Sequence, residues 1–269
     1  MNFKKIEYYA QQMADEVKHA NFRFDFFARF VVIWTLVSRI PLPEKMWPKE
    51  LVAGNRALPL MPLAGAILGL ITGVVVLFCR SIGLNPMIAA WIGAAAYAKS
   101  GWALHLDGVA DVWDGFGSGK LGEPLRAVMK DSRLGAYGAI GLILVFGIWT
   151  SAIASLQFDL LLPACIVAAG VGRFSSCVAA YFGEYPWEAG MGKGWVDTFT
   201  QYDLFTAFVC AAVLLIFSPA YWLVAVVLTF AIGMLAAKLS NRWLGGVNGD
   251  VLGASAVAGE VCTLLVFLV

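Results

Sequence analysis

Three aspartates, Asp107, Asp111 and Asp114, stand at spacing i, i+4 and i+7 in the segment HLDGVADVWDG over residues 105–115. On a helix that spacing puts all three carboxylates on one face. Like charges on one stripe repel, so the arrangement opposes folding by itself and becomes favourable when a divalent cation sits among them. Carboxylates completed by water and phosphate oxygens suit Mg²⁺ or Mn²⁺, and the absence of a nearby cysteine argues against zinc. The competing reading is a solvated loop whose acids face water, but the stripe lacks the interleaved lysines of ordinary helix pairs. His105 stands two residues before Asp107. A lone histidine is more often an interfacial residue than a ligand, and only this position gives it a role in orientation or proton transfer.

Downstream on the same stretch come Arg126 and then KDSRLG over residues 130–135, with Lys130 and Arg133 as cations for anionic oxygens and Asp131 as a further carboxylate. Alone, such a basic group fixes topology or touches lipid headgroups. Beside an acidic stripe it completes the parts of a phosphoryl-transfer site, where catalysis is mostly positioning and charge neutralisation. Two other segments have a related character. EAGMGKG over 188–194 holds Glu188, Gly192 and Lys193 and is either a flexible turn or a backbone wrap for phosphate; it lacks GxxxxGK(S/T) and is not a P-loop. RWLGGVNGD over 242–250 holds Arg242, Asn248 and Asp250, and Asp250 reads as a helix cap, a site residue or both.

The elements that must carry these residues are membrane helices. The chain of 269 residues is 60% hydrophobic and 14% charged, against about 25% charged in a soluble domain, which leaves too little polar surface for a water-soluble particle. Its net charge of +1 gives no general attraction for nucleic acid. Cys79, Cys165, Cys177, Cys210 and Cys262 lie in or beside apolar runs without CxxC spacing and read as buried hydrophobes. The first residues mix both charges with aromatics and show no cleavable signal.

A spanning helix needs about 20 mostly apolar residues. Seven runs qualify or nearly so: 58–78, 86–104, 135–156, 160–182, 204–217, 221–237 and 251–269, with Ser218-Pro219 read as a turn between two of them. The loops 43–57, 105–134, 183–203 and 238–250 hold three, four, one and two Lys or Arg, whereas the alternate loops hold only Arg80. The basic set is therefore expected in the cytoplasm. An eighth apolar stretch, 24–40, carries Arg29 and Arg39, and letting it span would put Lys4, Lys5, Lys18 and Arg23 outside. It is read as re-entrant or interfacial, preceded by an amphipathic surface helix over about 3–20. The expected architecture is an all-α, polytopic helical bundle: an N-terminal cytoplasmic segment, 1–23, and one membrane catalytic domain, 24–269. Arg173 and Glu260 fall inside spans, where a charge is either functional or half of a buried ion pair.

HLDGxADxxDG (His105 onward), KDSRLG (Lys130 onward), ExGMG (Glu188 onward) and GGxxGDxLGA (Gly245 onward) followed by Glu260 resemble, in order and spacing, the cobalamin synthase family, the adenosylcobinamide-GDP ribazoletransferases. SRIPLP from Ser38 and LPLMPLAG from Leu58 are similar to that family's opening, so the resemblance runs from about Arg29 to the C-terminus. It departs at Trp102-Ala103, where small glycines are usual, and at Asn248, where Thr is frequent. The resemblance implies a multi-pass enzyme of the bacterial inner membrane, its active site facing the cytoplasm, that joins adenosylcobinamide-GDP to α-ribazole or its 5′-phosphate with Mg²⁺ and releases GMP. Asp107, Asp111 and Asp114, with Asp131, are then expected to hold the metal, Lys130 and Arg133 to neutralise charge, and Asp114 or His105 to take the hydroxyl proton. Substrate contacts are expected from Arg126, Ser132, Glu188, Gly192, Lys193, Arg242, Asn248, Asp250 and Glu260. Self-association and docking of other cobalamin-pathway enzymes stay open.

Two other functions share some of these features. A CDP-alcohol phosphotransferase also uses an Asp-rich, Mg²⁺-binding boundary motif, but Asp114-Gly115 is followed by FGSG rather than the Ala-Arg that family needs. A secondary transporter usually shows repeated halves with interrupted helices, and here only a short echo links LDGVAD, ending at Asp111, with LGGVNGD, ending at Asp250.

Overall fold

The structure, a computed structural model, describes residues 26–48, 54–190, 192–217 and 219–269, so the amphipathic helix expected over 3–20 lies outside it. Among the described residues all regular structure is helical. The principal helices are α1 (Phe26–Val37), α2 (Met61–Ser81), α3 (Pro86–Tyr97), α4 (Ala103–Gly117), α5 (Glu123–Met129), α6 (Ala136–Ser155), α7 (Leu161–Phe182), α8 (Gln201–Ala212), α9 (Pro219–Trp243) and α10 (Gly249–Val266). Local chemistry sets their starts. Asn85 accepts from the Met87 N–H with Pro86 in the first turn of α3, and Thr200 and Asp203 form a reciprocal capping box at α8.

Among the described residues five segments are long and apolar enough to cross a bilayer: Leu58–Ser81, Ala136–Ser155, Leu161–Phe182, Tyr221–Trp243 and Gly249–Val266. The run expected over 86–104 is not one helix. Its α3 has 12 residues and passes through a π-helical stretch, Ala98–Trp102, into α4, with Gly101 leaving helical geometry at φ 165° and ψ −21°. The displaced Ser100 carbonyl accepts the Arg39 N–H at 2.7 Å and the Ser38 hydroxyl at 3.2 Å, so the turn after α1 satisfies the break. The run over 204–217 is similarly divided, α8 ending in a 3-10 stretch, Val213–Phe217. The described part of α1 has 12 residues and ends at Val37. It turns Arg29 inward, buried with Val31, Ile33 and Trp34, and leaves Phe26 and Phe27 exposed.

The bundle is built around α7, buried along most of its length and packed by α2, α9 and α10. Small residues make this approach close, as is usual where lipid supplies no hydrophobic drive. The segments expected to share one side meet at one end of the bundle. Val247 donates its N–H to the Glu184 carbonyl at 2.7 Å, Gly122 donates to Trp243 at 2.8 Å, and Arg56 lies 3.8 Å from Asp203. Arg80 marks the opposite end, bonding the Leu156 carbonyl at 2.9 Å.

Candidate active site

The acidic face is carried by α4. The helix buries His105, Leu106, Gly108, Val109 and Ala110 against α10 and α6, which leaves Asp107 exposed and Asp111 and Asp114 half-buried. Gly108 decides what joins them. A Cβ there would meet the Asp250 carbonyl oxygen at 2.6 Å and Asp250 Cα at 3.0 Å, so only glycine lets the first turn of α10 lie directly on α4. Asn248, not Asp250, caps that turn: its Oδ1 accepts from Val251 at 3.0 Å, while its Nδ2 donates to Asp250 Oδ2 at 2.8 Å. Asp250 is thereby aimed into the acidic group. Burial pushes the Asp111 carboxyl up to about 7, and the neighbouring Asp250, Asp107 and Asp114 charges push in the same direction.

Asp250, Asp107 and Asp114 all lie within electrostatic reach of Asp111. Among the described residues no three His, Cys, Asp or Glu form a group that could hold a metal ion by themselves. An all-oxygen set that supplies only some of the ligands suits Mg²⁺, which keeps waters and takes substrate phosphate oxygens, and does not suit a protein-enclosed zinc ion.

Asp114 is engaged differently from its two partners in the sequence stripe. Each of its oxygens accepts a backbone N–H at 2.8 Å, one from Gly135 and one from Gly138, so it caps α6 from α4 and complements that helix dipole. The charge thus fastens the loop between α5 and α6 to the acidic helix. Asp114→Asn replaces one charge-assisted acceptor by an amide nitrogen, and is expected to destabilise the α6 start by about 1–3 kcal/mol. Hydrogen exchange checks this: the Gly135 and Gly138 amides should lose protection, and wild-type protection in the variant would show that the cap contributes nothing.

The 130–133 group faces water. Asp131 and Arg133 pair with each other at 2.6 Å and are exposed, and Arg133 holds the Asp131 carboxyl down to about 2. Neither contacts the acidic cluster. Ser132, Lys130, Glu188 and Arg242 are exposed, and Lys193 pairs with Asp197 at 2.7 Å. The glycines of 188–192 pack on an aromatic ring: Gly190, at φ +153°, and Gly192 close around Tyr185. Tyr185 itself lies within electrostatic reach of both Arg126 and Asp250. Sequence reasoning missed it and Trp187. The signal was a Tyr-Pro-Trp bracketed by Glu184 and Glu188 at a membrane boundary, which resembles an ordinary interfacial aromatic belt.

His105 and Glu260 belong to a buried polar network within the bundle. Glu260 lies 3.6 Å from Arg173 and accepts from the Tyr97 hydroxyl and the Trp149 indole, both at 2.9 Å. Arg173 in turn donates to Tyr97 at 2.9 Å and stands 3.4 Å from His105 Nδ1. The imidazole is buried against this guanidinium, two residues before the exposed Asp107.

Comparison with known proteins places this geometry. No solved structure matches the chain. It is 35% identical over 225 residues to an adenosylcobinamide-GDP ribazoletransferase of Bradyrhizobium diazoefficiens, covering 78% of this chain and 82% of that one. It is 33% identical over 241 residues to the protein of the same description from Sinorhizobium medicae, covering 85% and 91%. A family model described as cobalamin-5-phosphate synthase matches residues 29–268, a stretch that includes α4, the α5–α6 loop, the Tyr185 loop and the start of α10. The chain belongs to the cobalamin-5-phosphate synthase family, and is a transferase of cobalamin biosynthesis.

Proposed function

We propose that this chain joins adenosylcobinamide-GDP to α-ribazole or α-ribazole 5′-phosphate and releases GMP, with Mg²⁺ shared between the carboxylates around Asp111, with Asp107 and Asp250 beside it, and the phosphate oxygens of the substrate. The observation that carries the reading is the approach of Asp250 onto Gly108, which adds a carboxylate from the far end of the chain to the α4 stripe. The ion would neutralise the diphosphate of the activated substrate. A ribose hydroxyl of the ribazole attacks the phosphorus attached to the cobinamide, and the phosphoanhydride bond to GMP breaks. Asp114 is occupied at both oxygens by backbone N–H groups and His105 is turned to Arg173, so the carboxylates open to take the hydroxyl proton are Asp107 and Asp111. Arg126 and Lys130 supply cations at the edge of the same end of the bundle. The Lys and Arg bias of these loops supports a cytoplasmic face in the inner membrane, where both large substrates would arrive.

The test is GMP release by the full chain in nanodiscs supplied with adenosylcobinamide-GDP, ribazole phosphate and Mg²⁺. Release is expected to need all three additions. Turnover that persists with excess chelator would remove the metal from the proposal, and no release under any condition would remove the reaction.

A further inference from the structure

The short helix α5 does more than link α4 to α6. Its Leu125 and Met129 are buried with Leu244 and packed by Phe116, Trp187 and Trp243, which fastens it to the loops at the site end. On the adjacent face, Arg126 and Lys130 lie i, i+4 and both address one indole. The Arg126 guanidinium carbon is 4.1 Å from the Trp187 ring centroid and the Lys130 ammonium is 5.6 Å from it. Tyr185 meets the same indole edge to face at 5.5 Å. The ring holds the guanidinium through its face and uses none of its N–H donors.

Those donors are incompletely used. Nη1 bonds Glu123 at 3.0 Å, an exposed partner three residues away. Nε is buried and has no hydrogen-bond partner among the described residues, and no bond engages Nη2. Nε and Nη2 form one side-on fork, the geometry that takes two oxygens of a phosphate at once. A buried donor without a partner is rare enough in folded proteins to call for an absent acceptor. Two cations on one ring match a dianion, and a phosphate monoester carries about −1.5 to −2 charge near neutrality. The fork is also distinct from the acidic cluster, where an anion needs an intervening metal, although Tyr185 lies within reach of both.

We infer that Arg126, positioned by Trp187 and assisted by Lys130, is the subsite that binds a phosphate monoester directly, and that in the reaction proposed above this is the 5′-phosphate of the ribazole acceptor. The inference rests on that transferase reading for the acceptor's identity and on the geometry alone for the phosphate. Trp187 is a positioning residue: it contacts the guanidinium, and the guanidinium contacts the ligand.

The experiment compares ribazole with ribazole 5′-phosphate as acceptors, using the full chain in phosphatidylcholine nanodiscs. In Arg126→Lys, which keeps the charge and loses the fork, the preference for the phosphorylated acceptor in kcat/KM should fall about tenfold or more, chiefly through KM. Trp187→Leu should move the ratio the same way, and Trp187→Phe, which keeps an aromatic face, should restore most of it. An unchanged ratio overturns the assignment, as does a shift confined to the KM of adenosylcobinamide-GDP, which would give the fork to the diphosphate. Adding phosphatidylglycerol tests a lipid source. If Arg126→Lys abolishes a dependence on anionic lipid and leaves the acceptor ratio intact, a headgroup is the ligand and the inference falls. A turnover-free arm separates this from failure of the reaction itself: inorganic phosphate should raise the unfolding temperature of the wild type and not of Arg126→Lys. Equal responses of the two proteins overturn the subsite even where no GMP is released.

Discussion

Asp111→Asn is expected to lower GMP release at least about a hundredfold while making the metal-free protein more resistant to heat. The two effects have one cause. Asp111 lies among Asp107, Asp114 and Asp250, and its carboxyl is pushed from an ordinary 3.8 up to about 7, first by burial and then by those charges. Removing it removes a repulsion from the folded state and a ligand from the proposed metal position, and loss of one preorganised electrostatic group at a reacting centre commonly lowers rate by about 10²–10³. The sign of the pH dependence follows. Because the folded value is raised, the stabilising contribution of the protonated carboxyl is complete below about 3.8 and is lost as pH rises through about 7. The gain in unfolding temperature on Asp111→Asn should therefore be larger at pH 8 than at pH 5. Metal binding must release that proton, so apparent Mg²⁺ affinity in the wild type should fall below pH 7, approaching tenfold per unit, and the Asn variant should lose this slope. Mg²⁺ titrations of activity at several pH values, with thermal unfolding in chelator, check both halves. Full activity in the variant, or equal stabilisation at both pH values, would contradict the acidic cluster as drawn.

What the sequence made legible at this site is local. Asp107 and Asp111 lie one helical turn apart, and periodicity alone puts them on a common face. The rest depends on contacts across long stretches of chain. Asp114 shares their spacing, yet its oxygens are committed to Gly135 and Gly138, more than 20 residues on. No pattern within 105–115 announces that commitment. Asp250 enters the cluster only because Gly108 lets two helices far apart in sequence touch, and a glycine in a helical segment reads as a weakness until its neighbour is known. Asp131 is the converse case. It lies close in sequence to the cations expected to serve the site, and it pairs with one of them, Arg133, in solvent.

The fold divides along the same line. Hydropathy finds the long helices α2, α6, α7, α9 and α10, because each must satisfy its own backbone across an apolar layer. It does not find the π-helical break after Tyr97, whose freed Ser100 carbonyl is satisfied by Ser38 and Arg39 about 60 residues earlier. The break matters to the site, since its kink at Gly101 separates α3 from the acidic helix α4.

Single replacements in the buried pair, Arg173→Met or Glu260→Gln, are expected to destabilise the protein by roughly 3–5 kcal/mol, and the double replacement by much less than their sum. Arg173 is fully buried and Glu260 is 3% exposed, so neither charge left alone can be solvated. Each also holds other groups: Glu260 accepts from Tyr97 and Trp149, and Arg173 donates to Tyr97 and to the Ala169 carbonyl and stands beside His105. The network thus ties α3, α6, α7 and α10 to the first turn of α4, inward of the acidic stripe. Unfolding in nanodiscs, followed over the four-protein cycle, measures the coupling. The same proteins decide between two roles for Glu260. If it positions the helices, Glu260→Gln should lose activity in proportion to the folded fraction and keep the KM of both substrates. If it touches substrate, KM should rise at unchanged unfolding temperature. The burial of both partners favours the first outcome, and would make the intramembrane charge a brace for the reacting end of the bundle rather than part of its surface.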